Sequence, residues 1–161
     1  MHEVHITAIE AIQAILAPAL GISAVGLLLL GLNSRYSNIM NRIRLITEER
    51  RKYLKLISEN VDLSYSDNLR YMSITNQSGE LLVRSRYVRN AILCMQGAVA
   101  LFVLTSAGIG LNLFLAGAAV EVFPLMVFIA GMLCVFAGIV FAALEVHRSY
   151  KIILLEVTTT E

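Results

Sequence analysis

Tryptophan is absent from this chain, and cysteine and proline occur only twice each among its 161 residues. Cys94 and Cys134 both lie inside apolar runs at different depths, so they do not form the bridged framework of a small secreted domain, and they leave the redox compartment unread. With three histidines, no zinc spacing and no glycine-rich phosphate loop, the usual signatures of metal and nucleotide sites are missing. No Ser-His-Asp or Cys-His set is recognisable either. The expectation is a protein that is not an enzyme and carries no cofactor and no metal. His2 and His5 with Glu3 between them have the residue types of a weak metal site, but a frayed terminus is the plainer reading.

Positive charge is missing from whole stretches. No lysine or arginine occurs before Arg35, and Glu121 stands in a loop with no basic neighbour. All 13 basic residues fall between Arg35 and Arg89 or at Arg148 and Lys151, so the formal net charge of +1 conceals a strong segregation.

What is abundant is apolar surface. The chain is 57% hydrophobic with a mean hydropathy of +0.71, too apolar for an ordinary soluble domain. Three runs, 12–32, 91–116 and 123–146, reach the about 20 residues that a bilayer-spanning helix needs. Backbone groups inside lipid must be satisfied within their own segment, so these runs are expected to be helices. Thr7 with Glu10 reads as a capping box for the first, Gly117 as the end of the second, and Pro124 as a first-turn proline of the third. Ala17-Pro18-Ala19 mimics a signal-peptide cleavage site, but the N-terminus lacks basic residues and the leucine run 27–30 follows that site. Cytoplasmic loops retain Lys and Arg, which predicts an outside N-terminus, a cytoplasmic 34–90 segment and a cytoplasmic C-terminus.

The resulting expectation is an all-α membrane protein with three transmembrane helices and a long helical cytoplasmic hairpin between the first and second. Its segments are 1–33, 34–90, 91–146 and a tail over 147–161. Ile39, Ile43, Ile46, Tyr53 and Ile57 recur at helical spacing, interrupted by Arg50, so the first helix is expected to continue past the membrane to about Ser58. Glu59 to Asn68 reads as the reversal, with Ser64 and Asp67 capping the returning helix. Asn76 to Gly79 is expected to interrupt that helix, because Ser-Gly is a turn signal. A hairpin or coiled coil is the natural reading of the two arms.

Small and polar residues mark the helix faces. The first helix has two stripes, Ala17, Gly21, Ala24 and Gly31 on one side and Ala19, Ser23, Gly26 and Asn33 on the other. Small residues allow close helix approach in lipid. A second protomer on one of the stripes would make a homo-oligomer, whereas packing of both within one chain is the plainer alternative. In the second helix Asn90, Cys94, Gly97, Thr105, Gly108 and Asn112 share a face; in the third Gly131, Cys134, Gly138, Ala142 and Glu145 do. Thr105 and Asn112 offer polar groups to an aqueous path, although a threonine commonly bonds its own helix. Asn33 and Asn90 stand at the inner boundary of adjacent helices and suit an interhelical hydrogen bond. Glu145, an intramembrane carboxylate, is a functional candidate by type, with Arg148 three residues on as its expected structural partner. Arg35, Arg42, Arg44, Arg84, Arg86 and Arg89 form a basic collar suited to anionic lipids of the bilayer. It lacks the fold and aromatic interleaving of a nucleic-acid reader.

The exit of the first helix, Leu-Gly-Leu-Asn-Ser-Arg-Tyr over 30–36, is followed by Arg42 and Arg44 and later by ELLVRSRYVRNAI and a closing hairpin. This pattern resembles a family of small bacterial membrane proteins known chiefly as a domain of unknown function. The resemblance runs from Pro18 to about Val146. It implies three helices in a bacterial inner membrane, and carries no activity or site. The short chain, its polar small-residue faces and its coaxial cytoplasmic helical extension make the functional expectation a homo-oligomeric pore or ion channel, with ions as its cargo. The alternative is an accessory subunit whose cytoplasmic hairpin docks a partner.

Overall fold

The computed structural model describes residues 8–59, 65–115 and 122–158, with side chains described over 12–59, 65–111 and 122–148. Three helices account for almost all of it: α1 (Ala8–Ser58), α2 (Tyr65–Leu115) and α3 (Val122–Thr158). Each contains a stretch long and apolar enough to cross a membrane.

The sequence reasons for these limits are local. α1 stops at Ser58, whose hydroxyl donates to the Lys55 carbonyl at 2.7 Å, and the Glu59 amide donates to the same carbonyl at 3.0 Å. These bonds occupy one of the carbonyls that a helix end leaves open. α2 has Asp67 in its first turn, where a carboxylate favours the helix dipole. Pro124 lies in the first turn of α3, where a missing N–H costs nothing. Pro18 is different, because it stands inside α1 and cannot donate to the Ala14 carbonyl. It is nevertheless among the most deeply buried side chains, and neighbouring helices allow membrane helices to keep such prolines.

Two expectations about the returning helix need correction. The interruption at Asn76 to Gly79 does not occur, since α2 runs unbroken from Tyr65 to Leu115. A single Ser-Gly pair costs a helix about 1 kcal/mol in propensity, too little to break one held by packing on both sides. Ser78 also takes a helix-compatible bond, donating to the Thr75 carbonyl at 2.7 Å. Residues 65–68, expected to belong to the reversal, are likewise already helical. The third helix, in turn, continues to Thr158, well into the segment assigned to a tail. Thr7, Ser64, Gly117 and Glu121 lie outside the described residues, as do His2, Glu3 and His5.

The chain divides into two units, each contributed by all three helices. The first comprises residues 1–32 and 90–141. Its centre is Phe102, only 1% exposed, whose ring lies 5.5 Å from that of Phe128 at a tilt of 37°. A Cβ at Gly21 would stand 2.9 Å from Phe102 Cε2, and one at Gly131 would stand 2.8 Å from Cε1. The ring is therefore clamped on two opposite edges by glycines of α1 and α3. Gly138 serves a second close approach, with Met95 Cε at 3.0 Å and the Ala91 carbonyl at 3.3 Å from a notional Cβ. Small residues here let helices touch at backbone level, the packing favoured where lipid supplies no hydrophobic drive. Large apolar side chains such as Leu27, Leu133 and Phe136 remain outside, more than 60% exposed, as lipid-facing surface requires.

The second unit comprises residues 33–89 and 142–161. Its buried residues include Ile39 and Ile46 of α1, Ile74, Leu81 and Val88 of α2, and Glu145 of α3. Arg70 reaches back to Glu49 through Nε and Nη2, at 3.0 and 3.3 Å. That hydrogen bond, and then the carboxylate charge, hold the Arg70 guanidinium above its ordinary value. Arg35 and Arg84 share Glu145 at a position 14 residues earlier on α1 and 14 later on α2. The antiparallel register is thus unchanged over that length.

One regularity runs through all three helices. Buried positions recur at seven residues: Pro18, Val25, Leu32, Ile39 and Ile46 on α1; Ile74, Leu81, Val88, Met95 and Phe102 on α2; Pro124, Gly131, Gly138 and Glu145 on α3. A straight α-helix would drift by about 20° per seven residues away from such a row.

Candidate functional site

Glu145 is the member of the α3 row that carries charge. The seven-residue spacing from Gly138 turns it inward, and its side chain is 5% exposed. Two arginines of other helices meet it there. Arg84 donates from Nε and Nη2 to the same oxygen, Oε1, at 3.1 and 2.9 Å. Arg35 Nη1 lies 3.8 Å from Oε2, near enough for charge attraction but too far for a hydrogen bond. A carboxylate withdrawn from water needs this compensation, since an unpaired buried charge is costly.

The expected partner, Arg148, is not the one Glu145 uses. Arg148 is exposed and places its guanidinium 5.3 Å from the centre of the Tyr87 ring. The reason is direction: Glu145 faces the interior, where Arg84 offers two donors at once, whereas Arg148 stays on the outer flank of α3. An aromatic face suits an exposed guanidinium.

Beside this cluster lies an open cleft of about 290 Å³ lined by Arg35, Asn38, Ile39, Arg84, Glu145 and Val146. All six belong to the second unit. Arg35 is 58% exposed at its side chain and Arg84 31%, so neither side chain is closed off from solvent. Asn38 and Val146 are exposed as well, and Ile39 is buried. The rest of the collar differs from Arg84. Arg42, Arg44, Arg86 and Arg89 are exposed and have no ion-pair partner among the described residues.

The remaining candidate residues separate into two groups. Thr105 is buried and donates its hydroxyl to the Leu101 carbonyl at 2.9 Å, the local bond such residues favour. Gly108 is half-buried, with Pro124 Cγ 3.3 Å from a notional Cβ. Gly21 is also half-buried, against Phe102. These three sit against their own chain. On α1 Ser23, Gly26, Gly31 and Asn33 are exposed, and a Cβ at Gly26 or Gly31 would meet nothing within 4 Å. Ser23 donates to Ala19 O at a long 3.3 Å. The Asn112 side chain lies outside the described residues, Asn90 is half-buried, and both cysteines are free and half-buried.

Sequence reasoning missed the convergence of Arg35 and Arg84 on Glu145 and the part of Phe102. The seven-residue rows carried part of the signal, since Glu145 lies in phase with Pro124, Gly131 and Gly138, and Phe102 with Val88 and Met95, but such a row gives the face of a residue and not its partners.

Among the described residues no group of three or more His, Cys, Asp or Glu side chains is arranged to hold a metal ion. Residues 15–155 match a family described as "Protein of unknown function (DUF2721)". No curated protein and no solved structure matches the chain.

Proposed function

This chain belongs to the DUF2721 family, and from that premise we propose that it is a bacterial inner-membrane protein whose copies assemble around an ion-conducting path. The observation that carries this reading is the open face of α1, where Ser23, Gly26 and Asn33 are exposed while Gly21, on the opposite stripe, is packed against Phe102. Lipid gains little from a groove of small and polar residues, whereas a helix of another copy fits one closely. Thr105 is turned into its own chain, so the polar lining falls to α1, with Asn33 at one end. Leu30 lies between Gly26 and Asn33 on that face and is 71% exposed. It supplies the apolar constriction by which such a path is held shut when dry.

The charge segregation supports an outside N-terminus, with the 34–90 arms and the C-terminus in the cytoplasm. The unbroken seven-residue rows support left-handed coiled-coil winding of the helices, since only supercoiling keeps such a row facing its partner. The protein performs no covalent chemistry in this reading.

Reconstitution into liposomes tests it directly. Wild-type protein should give a small flux of Na⁺, K⁺ or Cl⁻, and Leu30→Asn should raise it several-fold. Silence of both proteins under applied voltage, with helical content intact, would remove conduction from the reading.

A second reading, an accessory subunit that docks a partner, has its own observation. Tyr65, Leu69 and Met72 form an exposed apolar row on α2 at helical spacing, 52–80% accessible. A partner co-purifying with wild type but lost from Leu69→Lys would favour it.

A further inference from the structure

The geometry points to the Arg35–Arg84–Asn38 cleft as a binding site for a phosphate ester, of the kind carried by the headgroup of an anionic phospholipid. The inference stands apart from the conducting path, since it concerns residues of the second unit alone.

The donor balance of the cleft carries the argument. Two guanidinium groups face one carboxylate, so the lining keeps a net positive charge. Arg84 spends Nε and Nη2 on Glu145 Oε1, which leaves its Nη1 uncommitted. Arg35 makes no hydrogen bond to Glu145, because its nearest approach is 3.8 Å. Nearly all of its five donors therefore remain available. Asn38 adds an exposed amide on the same wall. Glu145 itself is engaged and 5% exposed, so it holds Arg84 in place rather than occupying the space. Such a pocket needs an acceptor with several oxygens and negative charge. A phosphate matches planar guanidinium donors two at a time.

Position and wall composition favour a lipid source. Arg35 follows the apolar run of α1 by three residues, and Val146 is the last residue of the apolar run of α3. Both therefore belong to the boundary where headgroups lie. Ile39 and Val146 give the cleft an apolar side next to the charged one, which suits the glycerol and first methylenes attached to a lipid phosphate. Basic pockets between helices at such boundaries take lipid headgroups. Free phosphate offers the same oxygens without that apolar part.

The test uses full-length protein purified in detergent and reconstituted in phosphatidylcholine nanodiscs, with phosphatidylglycerol added as probe. Retained lipid is counted by native mass spectrometry. Wild type should retain phosphatidylglycerol saturably, at one per protomer. Arg35→Gln should weaken retention about tenfold, the size of one lost charge-assisted contact. Asn38→Leu, which leaves both arginines and Glu145 untouched, should weaken it about threefold to fivefold. Arg44→Gln, outside the cleft, should match wild type. In a parallel arm, millimolar inorganic phosphate that displaces the lipid assigns the site to phosphate in general. Failure to displace it assigns the site to the lipid. Equal losses in Arg35→Gln and Arg44→Gln would replace the cleft by diffuse attraction and overturn the proposal, as would absence of saturable binding for both probes.

Discussion

Phe102 occupies the space that a side chain at Gly131 would need: a Cβ there would lie 2.8 Å from Cε1 and 3.0 Å from Cδ1 of the ring. The ring has no room to retreat, because Gly21 meets its opposite edge and the residue is 1% exposed.

Gly131→Ala is therefore expected to destabilise the helical fold by about 1–3 kcal/mol, the range for overpacking a filled interior. Gly97→Ala provides the contrast, since nothing lies within 4 Å of a Cβ there. It should be neutral or stabilising by up to about 1 kcal/mol through lost backbone freedom. Thermal unfolding in one detergent, followed by circular dichroism, compares the two. Equal melting points would contradict the clamp.

The buried carboxylate gives a second test. Glu145→Gln removes the charge that Arg84 and Arg35 face, and should cost about 2–4 kcal/mol, somewhat less than for a fully buried pair because Arg84 is partly exposed. Arg148→Ala removes only a contact with the Tyr87 ring and should cost at most about 1 kcal/mol. Glu49→Ala breaks only the solvent-exposed bond to Arg70 and should lower the melting point far less than Glu145→Gln does. A double-mutant cycle should find coupling of Glu145 to Arg84 of about 1–3 kcal/mol and little to Arg148. The opposite ranking would return Arg148 to the role first expected of it.

Leucine at two glycines of α1 separates folding from assembly. Gly21→Leu drives bulk into Phe102, so the protein should unfold at lower temperature. Gly26→Leu meets nothing in its own chain and should leave each copy folded. Its expected effect is a smaller particle in mass photometry of the detergent-purified protein. A particle unchanged in size by Gly26→Leu would exclude that face as the contact between copies.

Orientation is tested by labelling. In a variant with Cys94→Ser and Cys134→Ser, Glu3→Cys should react with a membrane-impermeant maleimide in intact cells. Lys52→Cys should react only after permeabilisation. The reverse pattern would invert the topology drawn from the basic residues.

The three helices were legible in the sequence because the signal for each is long. Uninterrupted apolar runs, and the isoleucines that carry α1 on to Ser58, depend on no tertiary information. The continuity of α2 past Asn76 to Gly79 was not legible, since a local turn signal gives no hint of the packing on either side. Nor was the partner of Glu145. A neighbour three residues away is visible in the chain, whereas Arg84 lies 61 residues earlier and reaches Glu145 only through the fold. The two stripes of small residues on α1 are visible in the sequence itself. Which of them meets Phe102 needed the register between helices, which no single helix encodes.

That register limits how the chain can change in length. Arg35 with Arg84, through Glu145, and Glu49 with Arg70 mark rungs at equal separations along α1 and α2. One residue inserted between those rungs would rotate everything beyond it by about 100° and turn Ile46 out of its row. Compatible insertions or deletions come in sevens, and a seven on one arm requires a seven on the other. Shortening both arms by one such unit should leave the Glu145 cluster untouched and bring the reversal about 10 Å closer to it. Length in this protein is thus quantised, and a ladder of chains differing by fourteen residues would share one cross-section.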